Sequence, residues 1–301
     1  MNRIVYKSIE ALRYHGYKGI NAGRYLKTVV PAFNAESDGT EIYYQCRHSD
    51  ESGSVLVIVH GWGEHGGRYS DMADYMAEKN LSVYAPDLRG HGLSGGARGH
   101  VNDFGDYIRD LERLMRIVRE KEGEKKTFLF GHSLGALIAL EYANTHPVDG
   151  LILSGFGLRS AGRLSFLGRI PFVNSVPIPV LTVSARLLGK RAISGLCNNQ
   201  SALEEYLRDR LGHGAFTLRF LEEISRESER LKGRENFGVG ASLILIGSED
   251  RIGSLEDARW LYSSLASDKK LIVYEGMKHN IFDETEKERV FYDVHEWITE
   301  H

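Results

Sequence analysis

The segment Gly131-His132-Ser133-Leu134-Gly135 constrains the fold of this chain more than any other feature. It joins an apolar run, 127–130, typical of a buried strand, to a run, 136–143, with the pattern of a helix. So short a turn strains its central residue, and a Cβ at either glycine would meet the neighbouring chain. The pattern therefore predicts that Ser133 lies at a sheet edge and a helix N-terminus, where a developing negative charge is favoured.

A serine nucleophile needs a general base and a carboxylate that orients the base. In folds that carry this turn, the chain order is serine, carboxylate, histidine. Asp250 and His279 each follow an apolar run typical of a buried strand, and the carboxyl ends of parallel strands meet at one sheet edge. We therefore predict Ser133 as the nucleophile, His279 as the general base and then acid, and Asp250 as the orienting carboxylate. Glu249 is the alternative carboxylate.

A glycine-rich loop follows the apolar run 55–59 and contains Trp62. A loop in this place supplies one backbone N–H to an oxyanion, and the residue after the nucleophile supplies the other. We therefore predict an oxyanion hole formed by the N–H groups of Trp62 and Leu134. Each such donor is typically worth about 10²–10³ in rate. The alternative is a glycine-rich connector that happens to carry an indole.

Strands and helices alternate along most of the chain, which predicts an α/β fold with a mostly parallel, doubly wound sheet. The predicted strands lie near 41–47, 55–59, 81–85, 127–131, 150–154, 242–247 and 270–274, and the predicted helices near 68–79, 103–121, 134–146, 254–266 and 286–300. The fifth and sixth of these strands are separated by roughly 80 residues, far more than an ordinary connection. We therefore predict an N-terminal arm (1–34), a core (35–158 and 238–301) and an inserted cap (159–237).

Several polar runs resemble the bacterial form of the monoacylglycerol lipase and lysophospholipase branch of the α/β-hydrolases. The runs are His60-Gly61-Trp62-Gly63-Glu64-His65 with Gly67-Arg68-Tyr69, Asp87-Leu88-Arg89-Gly90-His91-Gly92-Leu93-Ser94 with Arg98-Gly99-His100-Val101, the serine turn, Gly247-Ser248-Glu249-Asp250-Arg251, and Tyr274-Glu275-Gly276 with His279. The resemblance covers residues 35–300 and implies the α/β-hydrolase fold with a cap, or lid. It also implies hydrolysis of a glycerol monoester or related lysolipid without a cofactor or a metal.

The resemblance also implies substrate contacts for two residues. Family members use a glutamate in the glycine-rich loop to meet the glycerol head group, and Glu64 occupies that place. Some animal members carry a second histidine shortly after the catalytic one, where this chain has Phe282. The family's oxyanion residue is usually small, whereas this chain has Trp62, whose indole could narrow the site.

The predicted function is therefore a serine esterase that cleaves lipid-like carboxylic esters, with monoacylglycerols favoured, through an acyl-enzyme. Within the enzymes, a lysophospholipase, an acyltransferase or a short-chain carboxylesterase would use the same residues. From another class, a non-catalytic receptor for small molecules could be built on the same fold. The filled catalytic positions favour an enzyme.

Composition restricts the partners of this chain. A net charge of −3 argues against nucleic acid, and Cys46 and Cys197 have neither metal nor redox spacing. With neither a signal peptide nor a membrane-length apolar run, we expect a cytoplasmic protein that binds a lipid or other small ester. Two segments could touch a membrane surface peripherally, the basic arm and the apolar first half of the cap (164–181). Packing on the core is the alternative for both, and is favoured for the arm.

Other polar residues are interpreted as structural. Asp87, Arg89 and His91 are expected to satisfy the groups of a buried loop, and His60 and His132 to support the site without acid–base roles. The charged run 208–210 in the cap is expected to form a solvated face.

Overall fold

A computed structural model describes residues 38–49, 51–158, 193–234, 236–266 and 268–301, and the backbone of 25–30. Its centre is one eight-stranded sheet, and the strands are β1 (Tyr25–Val30), β2 (Ile42–Arg47), β3 (Ser54–Val59), β4 (Leu81–Pro86), β5 (Lys126–His132), β6 (Gly150–Ser154), β7 (Ala241–Gly247) and β8 (Lys269–Tyr274). The strand order is β1-β2-β4-β3-β5-β6-β7-β8. Strands β3 to β8 pair in parallel, while β2 pairs antiparallel with β1 and β4.

Helices cover both faces of the sheet. They are α1 (Ser70–Glu78), α2 (Gly105–Glu122), α3 (Leu134–Thr145), α4 (Gln200–Arg208), α5 (Leu218–Lys232), α6 (Leu255–Ser264) and α7 (Lys287–Glu300). Alternate residues of β3 belong to different cores: Leu56 and Ile58 pack with α1 and α7, whereas Val57 and Val59 pack with α2 and α3. A strand buried on both faces must be apolar throughout, which explains its continuous apolar run.

The predicted doubly wound α/β architecture is therefore confirmed. Observed strand and helix ends fall close to the predicted ones, because runs of buried apolar residues stop where the backbone leaves the core. Strand β1, within the predicted N-terminal arm, adds a strand to the sheet edge. The packing interpretation of the arm therefore holds for residues 25–30, and residues 1–24 lie outside the described part of the chain.

The described part of the predicted cap contains α4 and α5. Leu203 and Leu211, two apolar residues of this segment, are buried. Asp209 differs from the prediction: its side chain is 13% exposed and accepts a hydrogen bond from His65, so it belongs to an internal contact rather than a solvated face. Its neighbour Arg208 is exposed as expected. The apolar half of the cap lies within 159–192, outside the described residues.

No helix in the described ranges combines the length and the apolar character that a bilayer crossing requires.

Candidate active site

Ser133 occupies a strained turn between β5 and α3. Its φ of 51° and ψ of −113° are rarely adopted by a residue with a side chain. A Cβ on Gly131 would lie 2.2 Å from the carbonyl oxygen of Gly135, and one on Gly135 would lie 2.1 Å from that of Val59. The turn therefore requires both glycines, and it leaves Ser133 at the N-terminus of α3, as predicted.

His279 and Asp250 form a buried pair in the loops after β8 and β7. The Nδ1 atom of His279 lies 2.9 Å from Oδ2 of Asp250, and their side chains are 5% and 0% exposed. Oδ1 of Asp250 accepts hydrogen bonds from the backbone N–H groups of Ile252 and Gly253, at 2.8 and 2.7 Å. Burial alone would raise the pKa of Asp250, but the His279 ring and these two donors lower it below its ordinary value. The alternative carboxylate, Glu249, is exposed.

The end of β6 connects the serine to the histidine. The Ser133 backbone N–H donates to the carbonyl oxygen of Ser154, at 2.9 Å. The next residue, Gly155, packs against the histidine, since a Cβ there would lie 2.9 Å from Cε1 of His279. Because a carboxylate only accepts, Nδ1 of His279 carries the proton toward Asp250, and Nε2 has a lone pair available. The serine turn and the histidine–aspartate pair thus both lie against the end of β6, at the carboxyl edge of the sheet.

The glycine-rich loop lies against the serine. Val59 of β3 pairs with Gly131 of β5. Trp62 follows Val59 by three residues, and Leu134 follows Gly131 by three residues. A Cβ on Gly61 would lie 3.3 Å from Cβ of Ser133. The loop therefore lies beside the serine turn, and an oxyanion hole formed by the N–H groups of Trp62 and Leu134 stays a prediction.

Glu64 lies inside this loop, and its carboxylate is bonded to the loop and to Tyr69. Its Oε1 accepts hydrogen bonds from the backbone N–H of Gly61, at 2.6 Å, and from the hydroxyl of Tyr69, at 2.8 Å. Burial raises its pKa above the ordinary value, against the opposing charge of Arg68. With a side chain only 4% exposed, Glu64 braces the loop, and contact with a substrate stays a prediction.

Phe282 is also buried. Its ring lies 4.6 Å from that of Tyr69 and 4.7 Å from that of His132, measured between centroids. It therefore packs next to His132, whose ring in turn borders that of His279. A direct contact with substrate stays a prediction.

Two histidines beside the site are neutral supports, as interpreted from the sequence. Nδ1 of His60 donates to the carbonyl oxygen of Gly61, at 2.7 Å, while Nε2 accepts from the N–H of Leu88, at 2.9 Å. Burial lowers the pKa of His60 to about 3. His132 lies 4.6 Å from His279, between ring centroids, and burial with that neighbour lowers its pKa well below the ordinary value.

In the loop after β4, Asp87 and Arg89 have internal partners, as predicted, whereas Nε2 of the buried His91 has no hydrogen-bond partner among the described residues. Asp87 accepts from the backbone N–H groups of Gly66 and Leu93, at 2.8 and 2.7 Å. Arg89 makes two hydrogen bonds to Asp110, at 2.6 and 2.9 Å. The hydrogen bonds of Asp87 and Arg89 therefore tie this loop to the residues around it.

Sequence reasoning missed a second histidine–aspartate pair. Nε2 of His65, in the glycine-rich run, lies 2.7 Å from Oδ2 of Asp209 in the cap. Arg68 extends the cluster, with Nη2 2.8 Å from Asp283 and its guanidinium 4.8 Å from the centroid of the Tyr206 ring. The partners are 144 positions apart for the pair, so no local pattern could indicate them.

Within the described ranges, no group of three or more His, Cys, Asp or Glu side chains is arranged to hold a metal ion.

Comparison with known proteins places this site in a family. Residues 50–286 match a family model named Hydrolase_4 and described as serine aminopeptidase, S33. A monoglyceride lipase of Rattus norvegicus is 32% identical over 274 residues, covering 85% of this chain and 87% of that protein. A monoacylglycerol lipase of Mycolicibacterium smegmatis is 28% identical over 277 residues, covering 87% and 94%.

A solved structure gives the same result for the fold. The crystal structure of Paleococcus ferrophilus monoacylglycerol lipase is 29% identical, covers 86% of this chain and 99% of that one, and has a TM-score of 0.71. The resemblance predicted from the motifs is therefore confirmed, and the chain belongs to the Hydrolase_4 (serine aminopeptidase, S33) family of α/β-hydrolases.

Proposed function

We propose that this chain hydrolyses carboxylic esters of lipid-like substrates, most favourably monoacylglycerols, through an acyl-enzyme. Ser133 is the nucleophile, His279 the general base, and Asp250 the carboxylate that fixes the histidine tautomer. The observation that carries the proposal is the buried His279–Asp250 hydrogen bond beside a serine in a strained strand–helix turn. These are the parts that acyl transfer by a serine needs.

In the first half of the reaction, the Ser133 hydroxyl oxygen attacks the ester carbonyl carbon. Its proton passes to Nε2 of His279, and Asp250 stabilises the imidazolium that forms. The backbone N–H groups of Trp62 and Leu134 donate to the oxyanion of the tetrahedral intermediate. When the carbon–oxygen bond to the alcohol breaks, the alcohol leaves with the proton from His279.

Water completes the cycle by the same route. His279 takes a proton from water as the oxygen attacks the acyl carbonyl, and it then returns that proton to the departing Ser133 oxygen. The fatty acid and the free enzyme result. This step has the same needs as the first, so the same residues serve both.

The relatives support the choice of a lipid monoester. The rat and mycobacterial proteins bear the names monoglyceride lipase and monoacylglycerol lipase. A lysophospholipase or a short-chain carboxylesterase would use the same catalytic residues, and the substrate decides between them. A receptor on the same fold has no need of a buried carboxylate that orients a histidine.

The test is a set of initial rates for p-nitrophenyl esters from C2 to C16, with 1-monooleoylglycerol, a lysophosphatidylcholine and an amino-acid p-nitroanilide alongside. The expected result is a maximum at C8 or longer, clear monoglyceride turnover, and no turnover in Ser133→Ala. A maximum at C2–C4 without monoglyceride turnover would instead indicate a short-chain esterase. Turnover of the anilide alone would contradict ester hydrolysis.

A further inference from the structure

A short segment of the cap, residues 213–217, lies directly on the glycine-rich loop; we name it the cap strap. The backbone N–H of His213 donates to the carbonyl oxygen of Gly63, at 2.8 Å. The indole N–H of Trp62 donates to the carbonyl oxygen of Ala215, at 3.1 Å. Two hydrogen bonds thus join the strap to consecutive residues of the loop that holds a predicted oxyanion donor.

The Trp62 indole lies among the side chains of the strap. Its ring is 6.4 Å from His213, perpendicular to it, and 5.9 Å from Phe216, between centroids. The indole has a single polar hydrogen, and Ala215 accepts it. The Trp62 indole, which could narrow the site, is therefore hydrogen-bonded to the cap strap.

Gly63 shows how closely the strap and loop approach each other. Its φ of +79° is accessible to glycine, and a Cβ there would lie 2.5 Å from the carbonyl oxygen of His213. No other residue type fits without moving one of the two segments. The contact is therefore built into the backbone of the loop.

The other side of the strap is fixed to the core. A Cβ on Gly99 would lie 1.8 Å from the Ala215 carbonyl oxygen, and the N–H of Thr217 donates to Gly99, at 3.0 Å. Nε2 of His213 lies 3.0 Å from the carbonyl oxygen of Gly90, while its Nδ1 accepts the N–H of Ala215, at 3.2 Å. The strap is therefore a rigid bridge between the loop after β4 and the glycine-rich loop.

From these contacts we propose that the cap strap positions the oxyanion hole, with the Trp62 side chain as the positioning group. Trp62 offers its backbone N–H to the oxyanion while its indole holds the strap, so the loop cannot shift without breaking this contact. An oxyanion donor acts only within about 2.7–3.1 Å of the developing charge. The proposal rests on the proposed function of Ser133 and the loop.

The first test compares Trp62→Phe with Trp260→Phe as a matched control. Trp62→Phe keeps an aromatic ring but removes the hydrogen bond to Ala215. Trp260 lies on α6 and packs against Phe237. Since the oxyanion forms only during reaction, Trp62→Phe is expected to lower kcat by about tenfold with KM unchanged, within the 10²–10³ limit for total loss of a donor. Trp260→Phe is expected to match the wild type.

The second test changes the strap instead of the loop. His213→Ala removes the contact to Gly90 and the acceptor for Ala215, and is expected to lower kcat in the same way. Because both substitutions loosen the same contact between the strap and the loop, the fold-loss of kcat in the double variant is expected to be smaller than the product of the two single fold-losses. Multiplicative losses, or a rise in KM with kcat unchanged, would overturn the proposal.

Hydrogen exchange separates this proposal from the proposed function. His213→Ala is expected to speed backbone exchange in a peptide that covers residues 60–64, distant in sequence from the change, whether or not the protein turns over esters. Absence of ester turnover in the wild type would refute the proposed function alone. Unchanged exchange in that peptide would refute the positioning role of the strap.

Discussion

Two buried histidine–aspartate pairs occur among the described residues, and the proposed function uses only one of them. His279 presents Nδ1 to Asp250, at 2.9 Å, while His65 presents Nε2 to Asp209, at 2.7 Å. The second ring nitrogen of His65 accepts the backbone N–H of Gly67, at 3.1 Å. Both nitrogens of His65 are therefore occupied by the fold.

The contrast between His279 and His65 shows that a carboxylate beside a histidine does not by itself define an active site. Burial and an aspartate are common to both pairs, and both aspartates have a pKa below the ordinary value, about 2 for Asp209. His279 differs from His65 because it packs against Gly155. The residue before Gly155 is Ser154, whose carbonyl oxygen accepts the backbone N–H of Ser133. The His279–Asp250 pair lies beside the serine turn, and the other pair joins the predicted cap to the glycine-rich loop.

The largest contrast is expected between alanine substitutions of the two histidines. His279→Ala should lower kcat by about 10⁶, as removal of a catalytic histidine does in serine hydrolases. His65→Ala should lower kcat less than tenfold but reduce the free energy of unfolding by about 1–3 kcal/mol, because Asp209 loses a buried donor. Ester kinetics and urea unfolding measure both effects. Equal losses of kcat in His279→Ala and His65→Ala would mean that the two pairs do not differ in their role in catalysis.

The next contrast changes the two carboxylates. Asp250→Asn should lower kcat by about 10⁴ with little change in KM, because the amide favours the wrong histidine tautomer. Asp209→Asn should cost about 1 kcal/mol of stability and leave kcat within a few-fold. The exposed neighbour, Arg208→Ala, is the control and should match the wild type in both. A large kcat loss in Asp209→Asn would give that pair a catalytic role.

Acid should unfold the protein through groups outside both pairs. Burial lowers the pKa values of His60, His91 and His132, so the unfolded chain binds protons that the folded chain does not. Stability should therefore fall as the pH drops from about 6.5, by about 1.4 kcal/mol per pH unit for each histidine. The stabilisation by Asp209, whose pKa is about 2, is complete above its unfolded pKa and disappears only as pH falls below about 4.

Urea unfolding at pH values from 7.5 to 4.5 measures this loss. His91→Asn removes one of the three histidines, so the slope of the unfolding free energy against pH is expected to fall by about 1.4 kcal/mol per pH unit. A slope of zero over this range would mean that the buried histidines take up protons in the folded chain as they do in the unfolded chain.

The smallest effect is expected beside the catalytic carboxylate. Glu249→Gln changes an exposed side chain, so kcat should stay within twofold of the wild type while the adjacent Asp250→Asn is nearly inactive. Steady-state ester kinetics compare the two. If Glu249→Gln loses as much kcat as Asp250→Asn, the assignment of the orienting role to Asp250 alone is wrong.

The sheet and the His279–Asp250 pair could be predicted from the sequence because their determinants are local. Strands such as β3 and β5 contain continuous apolar runs, since helices cover both faces. The serine turn needs its two glycines, and Asp250 and His279 lie in the loops that follow β7 and β8. Residue type and chain order were enough to bring these groups together.

The cap contacts could not be predicted because they join irregular backbone far apart in the chain. Trp62 and Ala215 are 153 positions apart, and the acceptor is a backbone carbonyl, which any residue carries. Asp209 lies in a charged run that has the composition of a solvated surface, and its partner lies in another loop. Glu64 matches a substrate-binding motif by position, yet its carboxylate is turned into its own loop.

The most direct test of the proposed chemistry is covalent labelling with a fluorophosphonate, read by intact mass and peptide mapping. Wild-type protein is expected to take one label, on Ser133, and lose its esterase activity in step with labelling. His65→Ala is expected to label at nearly the wild-type rate, and His279→Ala and Ser133→Ala not at all. Labelling at another residue, or esterase activity that persists in Ser133→Ala, would contradict the account.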